Sequence, residues 1–257
     1  MLAQRRSGTI LNTAGWVKGE TENVTGERKL PSAGSTSEVD AFVREVGRLP
    51  ATGTQGGRGR LLFAMDATAS REPTWDHACA LQGEMFVAAD TLGGLDVRLA
   101  FYRGFEEFKV SKWTSEGREL ARLMSAVRCL AGRTQIARLL RYAGEQRRES
   151  RLDAVVFVGD CCEEDVDAVG HEAGQLGLLG LPVFVFHEGS DRTASRLFPQ
   201  IAKLTRGAYC KFDRSSPDQL KRLLGAVAAY AAGGRSALLK YGQDKGGAAA
   251  LLTNQMK

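Results

Sequence analysis

Two short, unbroken apolar runs set the terms for this chain: Leu61–Met65 (LLFAM) and the apolar part of Asp153–Val158 (DAVVFV). Neither is long enough for a helix, and neither alternates as a strand with one wet face would. Such runs suit strands buried on both faces, the condition of a parallel sheet covered by helices. The text around them keeps that rhythm. Asp96–Tyr102, Pro182–Phe186 and Ala208–Phe212 read as further strands, and the more polar Glu106–Trp113 as an edge strand. Between them Trp75–Leu92, Glu116–Cys129, Gln135–Gln146, Asp165–Leu176, Thr193–Leu204 and Pro217–Ala232 read as helices. Alternation of this kind predicts an α/β fold: a Rossmann-like, doubly wound, mostly parallel sheet with one antiparallel edge strand and helices on both faces.

The rhythm begins only at Arg60. Residues 1–36 are rich in Gly, Ser, Thr, Glu and Arg and lack periodicity, so they cannot bury enough surface to offset ordering entropy and are expected to form a disordered arm. Trp16 is the exception there, a candidate short docking contact. Residues 37–59 hold a short helix, Glu38 to Leu49, and a Gly-rich linker. Ser35 and Glu38 make a capping box, Val39, Phe42, Val43 and Val46 share one face, and Pro50 stops the helix. Residues 60–232 form the main domain. Residues 233–257 are a tail whose Leu238, Leu239, Leu251 and Leu252 suggest a further helix packing back on the body.

Composition narrows the function classes. Charged residues make up 25% of the chain and the net charge is +5, but the two signs are interspersed and no dense Lys/Arg block appears. That argues against a nucleic-acid partner. No segment approaches the ~20 apolar residues needed to cross a bilayer, and the N-terminus lacks the apolar core of a signal peptide. Five cysteines (Cys79, Cys129, Cys161, Cys162 and Cys210) are odd in number and scattered through expected core elements, which fits reduced, buried thiols and a cytoplasmic setting. Redox activity of the Cys161–Cys162 pair is the less favoured reading. His77, His171 and His187 show no zinc-site spacing. The linker GTQGGRGR lacks the Gly-Lys-Ser/Thr ending of a nucleotide-binding P-loop.

The chemistry gathers on five oxygen-bearing side chains: Asp66, Thr68 and Ser70 in LLFAMDATAS, then Thr134, then Asp160. Asp66 and Asp160 follow the two apolar strands, and in a doubly wound sheet ligands collect beyond the carboxyl ends of strands where strand order reverses. Thr134 lies in AGRTQIARLL, where Gly132 permits a tight turn just before a helix. Carboxylates and hydroxyls without Cys or His suit a small hard cation, Mg²⁺ or Mn²⁺. Taken alone, Asp-x-Thr-x-Ser is equally a turn with an N-cap.

The pattern resembles the von Willebrand factor A (VWA) family, whose metal-ion-dependent adhesion site reads Asp-x-Ser-x-Ser, a distant Thr and a distant Asp. Here these would be Asp66, Thr68 and Ser70, then Thr134, then Asp160. GRTQIARLL is similar to the family's Gly-x-Thr-x-Ile-x-x-Ala-Leu helix start, VVFVGD to its fourth-strand ending, and LFPQIAKLTRGAYCKFD with SSPDQLKRLL to its closing passage. The resemblance spans Arg60 to Ala232 and points to an intracellular, bacterial-type member. It implies that Thr68, Ser70 and Thr134 bind the ion through hydroxyls, with Asp66 and Asp160 acting partly through water. Neutral hydroxyl ligands leave the dication's charge largely unquenched, so the resemblance implies that an Asp or Glu carboxylate of a protein partner completes the coordination, chaperone-like ATPases being among the partners it suggests. Two positions depart from the family. Thr68 replaces Ser, adding a methyl group but keeping the hydroxyl. Cys161 stands where Gly is common, and Cys disfavours positive φ. Glu163, Glu164 and Asp165 either add negative potential near the cation or form an acidic helix start favoured by the helix dipole.

The rival reading is enzymatic: a haloacid-dehalogenase-like phosphatase with Asp66 as nucleophile and Mg²⁺ held by the Gly159-Asp160 region. That chemistry wants an Asp at position 68 as general acid and a Lys near the phosphoryl group. Position 68 is Thr and no suitable Lys is present. The expectation is therefore a non-catalytic adaptor or assembly factor.

Overall fold

The computed structural model describes residues 58–72, 94–212 and 217–244, together with Glu45. The expected arm and the expected helix Trp75–Leu92 lie outside the described residues. Of the short helix at 38–49 only Glu45 is described, and it is helical.

Among the described residues six strands form one sheet. They are β1 (Gly59–Asp66), β2 (Leu95–Arg103), β3 (Glu107–Val110), β4 (Ala154–Gly159), β5 (Val183–Glu188) and β6 (Ala208–Phe212). Their spatial order is β3-β2-β1-β4-β5-β6. All neighbours pair parallel except β2 and β3, which are antiparallel. The helices are α1 (Gly117–Ser125), α2 (Ile136–Glu149), α3 (Val166–Leu178), α4 (Arg192–Leu204) and α5 (Pro217–Asp244).

Two cores explain why the strand runs are apolar without interruption. Leu61, Phe63 and Met65 face one core with Leu120 and Met124 of α1 and with α5 from Leu224 to Leu238. Leu62 and Ala64 face the other, with Leu139 of α2, Val169 of α3 and Phe198 of α4. Every residue of β4 and β5 is buried, and both pleat faces are apolar up to His187 and Glu188 at the end of β5. The helices that follow these two strands start on Asp caps. Asp165 accepts from the Ala168 N–H at 2.8 Å, and Asp191 from the Ala194 N–H at 2.7 Å.

Several boundaries differ from expectation. β3 ends at Val110, short of Trp113, whose ring lies under the Arg98 guanidinium 4.6 Å from its centroid. Beyond β3 the chain stays bonded to β2 through Ser111, whose N–H donates to the Leu99 carbonyl at 2.8 Å, and through a bridge between Val97 and Thr114. α1 stops at Ser125, so Cys129 lies in a loop. α5 runs past Ala232 to Asp244, broken at Gly234, whose φ of 64° and ψ of −158° are non-helical. The first part of the expected tail is thus helical. Among the described residues no helix is long and apolar enough to cross a membrane.

Strand order reverses between β1 and β4: the chain moves from β1 to β2 on one side, then returns to β4 on the other. A crevice beyond the carboxyl ends of these two strands is the geometric consequence.

Candidate metal centre

The register Met65↔Val158 sets the ends of β1 and β4 side by side, so Asp66 and Asp160 leave the sheet as neighbours. A carboxylate oxygen of each, and the Cys161 Sγ, all lie within 4.8 Å of one another. Asp66 is fully buried. One of its oxygens accepts the Thr68 N–H at 2.8 Å and the other accepts the Tyr102 hydroxyl at 3.1 Å. Tyr102 is placed by register, since it pairs with Asp66 across β1 and β2. Burial pushes the Asp66 carboxyl up to about 6; the Thr68 bonds pull it down, and Asp160 adds a smaller upward push. Asp160 Oδ1 is buried without a hydrogen-bond partner. An acid pair sharing one buried locus, with an unsatisfied oxygen, is what a cation would relieve.

Three hydroxyls stand on the loops that flank these strand ends. Thr68 Oγ1 and Ser70 Oγ lie 3.1 Å apart on the turn leaving β1. The buried Thr134 sits just before α2, and its Oγ1 accepts the Glu163 N–H at 3.0 Å, three residues beyond Asp160. Its loop is seated by the backbone. Leu130 donates to the Ala67 carbonyl at 3.1 Å, and Arg133 to the Gly104 carbonyl at 2.9 Å. Gly132 is obligatory here, because a Cβ on it would stand 1.8 Å from the Gly104 carbonyl oxygen. Gly132→Ala is therefore expected to lower stability by about 1–3 kcal/mol, read as a fall in melting temperature, and to displace Thr134. An unchanged melting temperature would show that the contact yields freely.

Cys161 fits where Gly was expected: among the described residues Arg206 alone is a non-glycine with positive φ. The turn that needs left-handed backbone is instead Gly189, after β5, with φ of 91° against Asp160. Burial, then Asp160 and Asp66, hold the Cys161 thiol far above the ordinary range, so it faces the acids as a neutral group. Two members of the acidic run, Glu164 and Asp165, serve the helix ends. Glu164 accepts from the Ile136 and Ala137 N–H groups at the start of α2, and Asp165 caps α3.

The sequence-predicted residues Asp66, Thr68, Ser70, Thr134 and Asp160 thus all stand at the carboxyl rim of the sheet. Sequence reasoning passed over three neighbours. Tyr102 was readable only as a strand end at the Asp66 register. Arg71, 1% exposed and ion-paired with the 2% exposed Glu188, gave no signal, because an Arg-Glu pair after a turn looks like surface. Oxygen donors predominate, a set that fits a hard dication, with the neutral thiol beside it.

No protein-family model matches the sequence, and no protein of curated function does. Solved structures do match. A von Willebrand factor type A protein from Catenulispora acidiphila aligns with a TM-score of 0.54 at 17% identity, over 67% of this chain and 43% of that one. The VWA domain of SpRpn10 aligns with a TM-score of 0.52 at 12% identity, over 65% of this chain and 94% of that one. Proximal thread matrix protein 1 of the mussel byssus, with a zinc-occupied adhesion-site motif, aligns with a TM-score of 0.52 at 15% identity, over 67% of this chain and 46% of that one. This chain therefore spans less than half of the bacterial and mussel proteins. At such identities the likeness speaks for architecture, and it agrees with the strand order and register above: the chain has the fold of a von Willebrand factor A domain.

Proposed function

We propose that this chain is a divalent-cation-dependent protein-binding module, in which Asp66, Thr68, Ser70, Thr134 and Asp160 hold Mg²⁺ or Mn²⁺ and a partner's Asp or Glu carboxylate completes the coordination. The observation that carries this reading is the convergence of Asp66 and Asp160 within 4.8 Å, with one Asp160 oxygen buried and unpartnered. The zinc-occupied motif of the mussel protein, on the same fold, supports it. A bound dication supplies a Lewis-acidic position for an incoming carboxylate. This chain's own residues do the rest: Asp66 is oriented by the Thr68 N–H and Tyr102, and Thr134 is fixed by Glu163.

The rim suits an acidic partner. Arg128 and Arg133 are exposed on the loop that carries Leu130, which is 46% exposed, and this loop packs against the turn that carries Phe105, which is 75% exposed. A carboxylate-bearing segment with an apolar neighbour matches that pattern. The module acts as an adaptor or assembly factor in the cytoplasm, consistent with its free thiols, and the partner class includes chaperone-like ATPases. It is not a catalyst in this reading: Asp66, the rival nucleophile, is wholly buried and both its oxygens are engaged.

Affinity capture from the native cell, with Mg²⁺ and with chelator, tests the proposal. Partners should be lost in chelator and lost again with Asp160→Asn in Mg²⁺. Partners retained under both conditions would refute it.

A further inference from the structure

Arg71 stands on the turn Ala69–Arg71 just after β1, yet its guanidinium meets Glu188, the last residue of β5. β4 lies between those two strands. Reaching across two strand spacings, about 10 Å, takes the side chain past the end of β4. The register Gly159↔His187 sets Asp160 beside Glu188, so the arginine passes the acid pair on its way. Its charge acts on both Asp66 and Asp160. The buried locus therefore holds three acids and one base, which leaves the formal charge that one dication would balance. A bare guanidinium at this point would repel a dication, and Glu188 is the group that engages it.

We propose that the Arg71–Glu188 pair sets the cation affinity of this site: Glu188 offsets the arginine's positive charge beside Asp66 and Asp160, and removing that offset weakens dication binding. The inference rests on the dication reading above. It makes Arg71 and Glu188 positioning residues that touch no ligand. It also assigns a purpose to a buried ion pair which, as a source of stability, is a poor substitute for apolar packing.

Calorimetric titration with Mn²⁺ tests it, with folding followed by circular dichroism. A unit charge within about 10 Å of a dication, at an effective dielectric near 20, makes the expected changes on the order of a hundredfold. Arg71→Gln should tighten Mn²⁺ binding by about that factor, and Glu188→Gln should weaken it by about as much. Arg71→Lys keeps the charge and should keep the affinity. The double variant Arg71→Met, Glu188→Leu replaces the pair by apolar volume, a change such sites commonly tolerate. It should fold and bind Mn²⁺ about as the wild type does, because both charges leave together. If the single variants fail to fold, the double variant decides: affinity well below wild type would overturn the proposal. Folded Arg71→Gln with unchanged or weaker affinity would overturn it too, while wild-type binding leaves the dication reading standing. A wild-type protein that takes up no Mn²⁺ would sink both.

Discussion

Asp66→Asn is expected to abolish dication binding and, in the same protein, to raise the melting temperature of the metal-free form. The two halves have one cause. Asp66 is fully buried, and the rise of its carboxyl from 3.8 to about 6 measures how poorly the site tolerates the charge without a cation. At neutral pH that intolerance amounts to about 3 kcal/mol. Asparagine keeps the shape and removes the charge. Its oxygen still accepts the Thr68 N–H, and its amide faces the Tyr102 hydroxyl, which rotates from donor to acceptor. Gaining even 1 kcal/mol should raise the melting temperature by about 2–4 °C in a domain of this size. The wild type, at a hundredfold excess of dication over its Kd, gains about 2.7 kcal/mol, because a ligand bound only by the native state stabilises that state. The variant should gain nothing. Thermal melts of both proteins with Mg²⁺ and with chelator make a four-way comparison. A variant that still shifts with Mg²⁺ would remove Asp66 from the site, and one that melts below the wild type in chelator would contradict the burial argument.

The parts of this molecule that were legible in its sequence share a property: local pattern and global packing ask for the same thing there. LLFAM and DAVVFV are apolar on both faces because Leu61 and Leu62 enter opposite cores. The gathering of Asp66 with Asp160 followed from two strand ends and the switch-point rule. What escaped was set by register and by side-chain reach. Nothing local to Tyr102 says that it will point at Asp66; only the β1–β2 pairing does. Arg71 escaped for a deeper reason, since composition assigns an arginine to the surface unless a partner is known, and its partner lies 117 positions away. The acidic run beyond Asp160 was ambiguous because helix caps and cation sites draw on the same residue types. The bonds from Ile136, Ala137 and Ala168 make caps of Glu164 and Asp165.

Stability of the metal-free protein should fall as pH rises, and the fall should vanish in Asp66→Asn. The folded-state value for Asp66, about 6, lies above its ordinary value of 3.8. Well below pH 3.8 the group is protonated in both folded and unfolded chains and contributes nothing. Between pH 4 and 6 the unfolded chain loses its proton first, so ionisation favours unfolding. Above pH 6 the full penalty of about 3 kcal/mol is present. Other groups titrate over the same range, so the informative quantity is the gap between wild type and Asp66→Asn, which should be widest near pH 7 and close towards pH 4.5. Dication reverses the preference, because it binds the ionised acid: affinity should drop by about tenfold for each pH unit below 6. Melts of the wild type in saturating Mg²⁺ should therefore vary less with pH than melts in chelator. A gap between the two proteins that is equally wide at pH 4.5 and pH 7 would mean that Asp66 is already ionised at the lower pH, and that its burial is offset by a neighbouring charge, Arg71 being the one that the geometry places within reach.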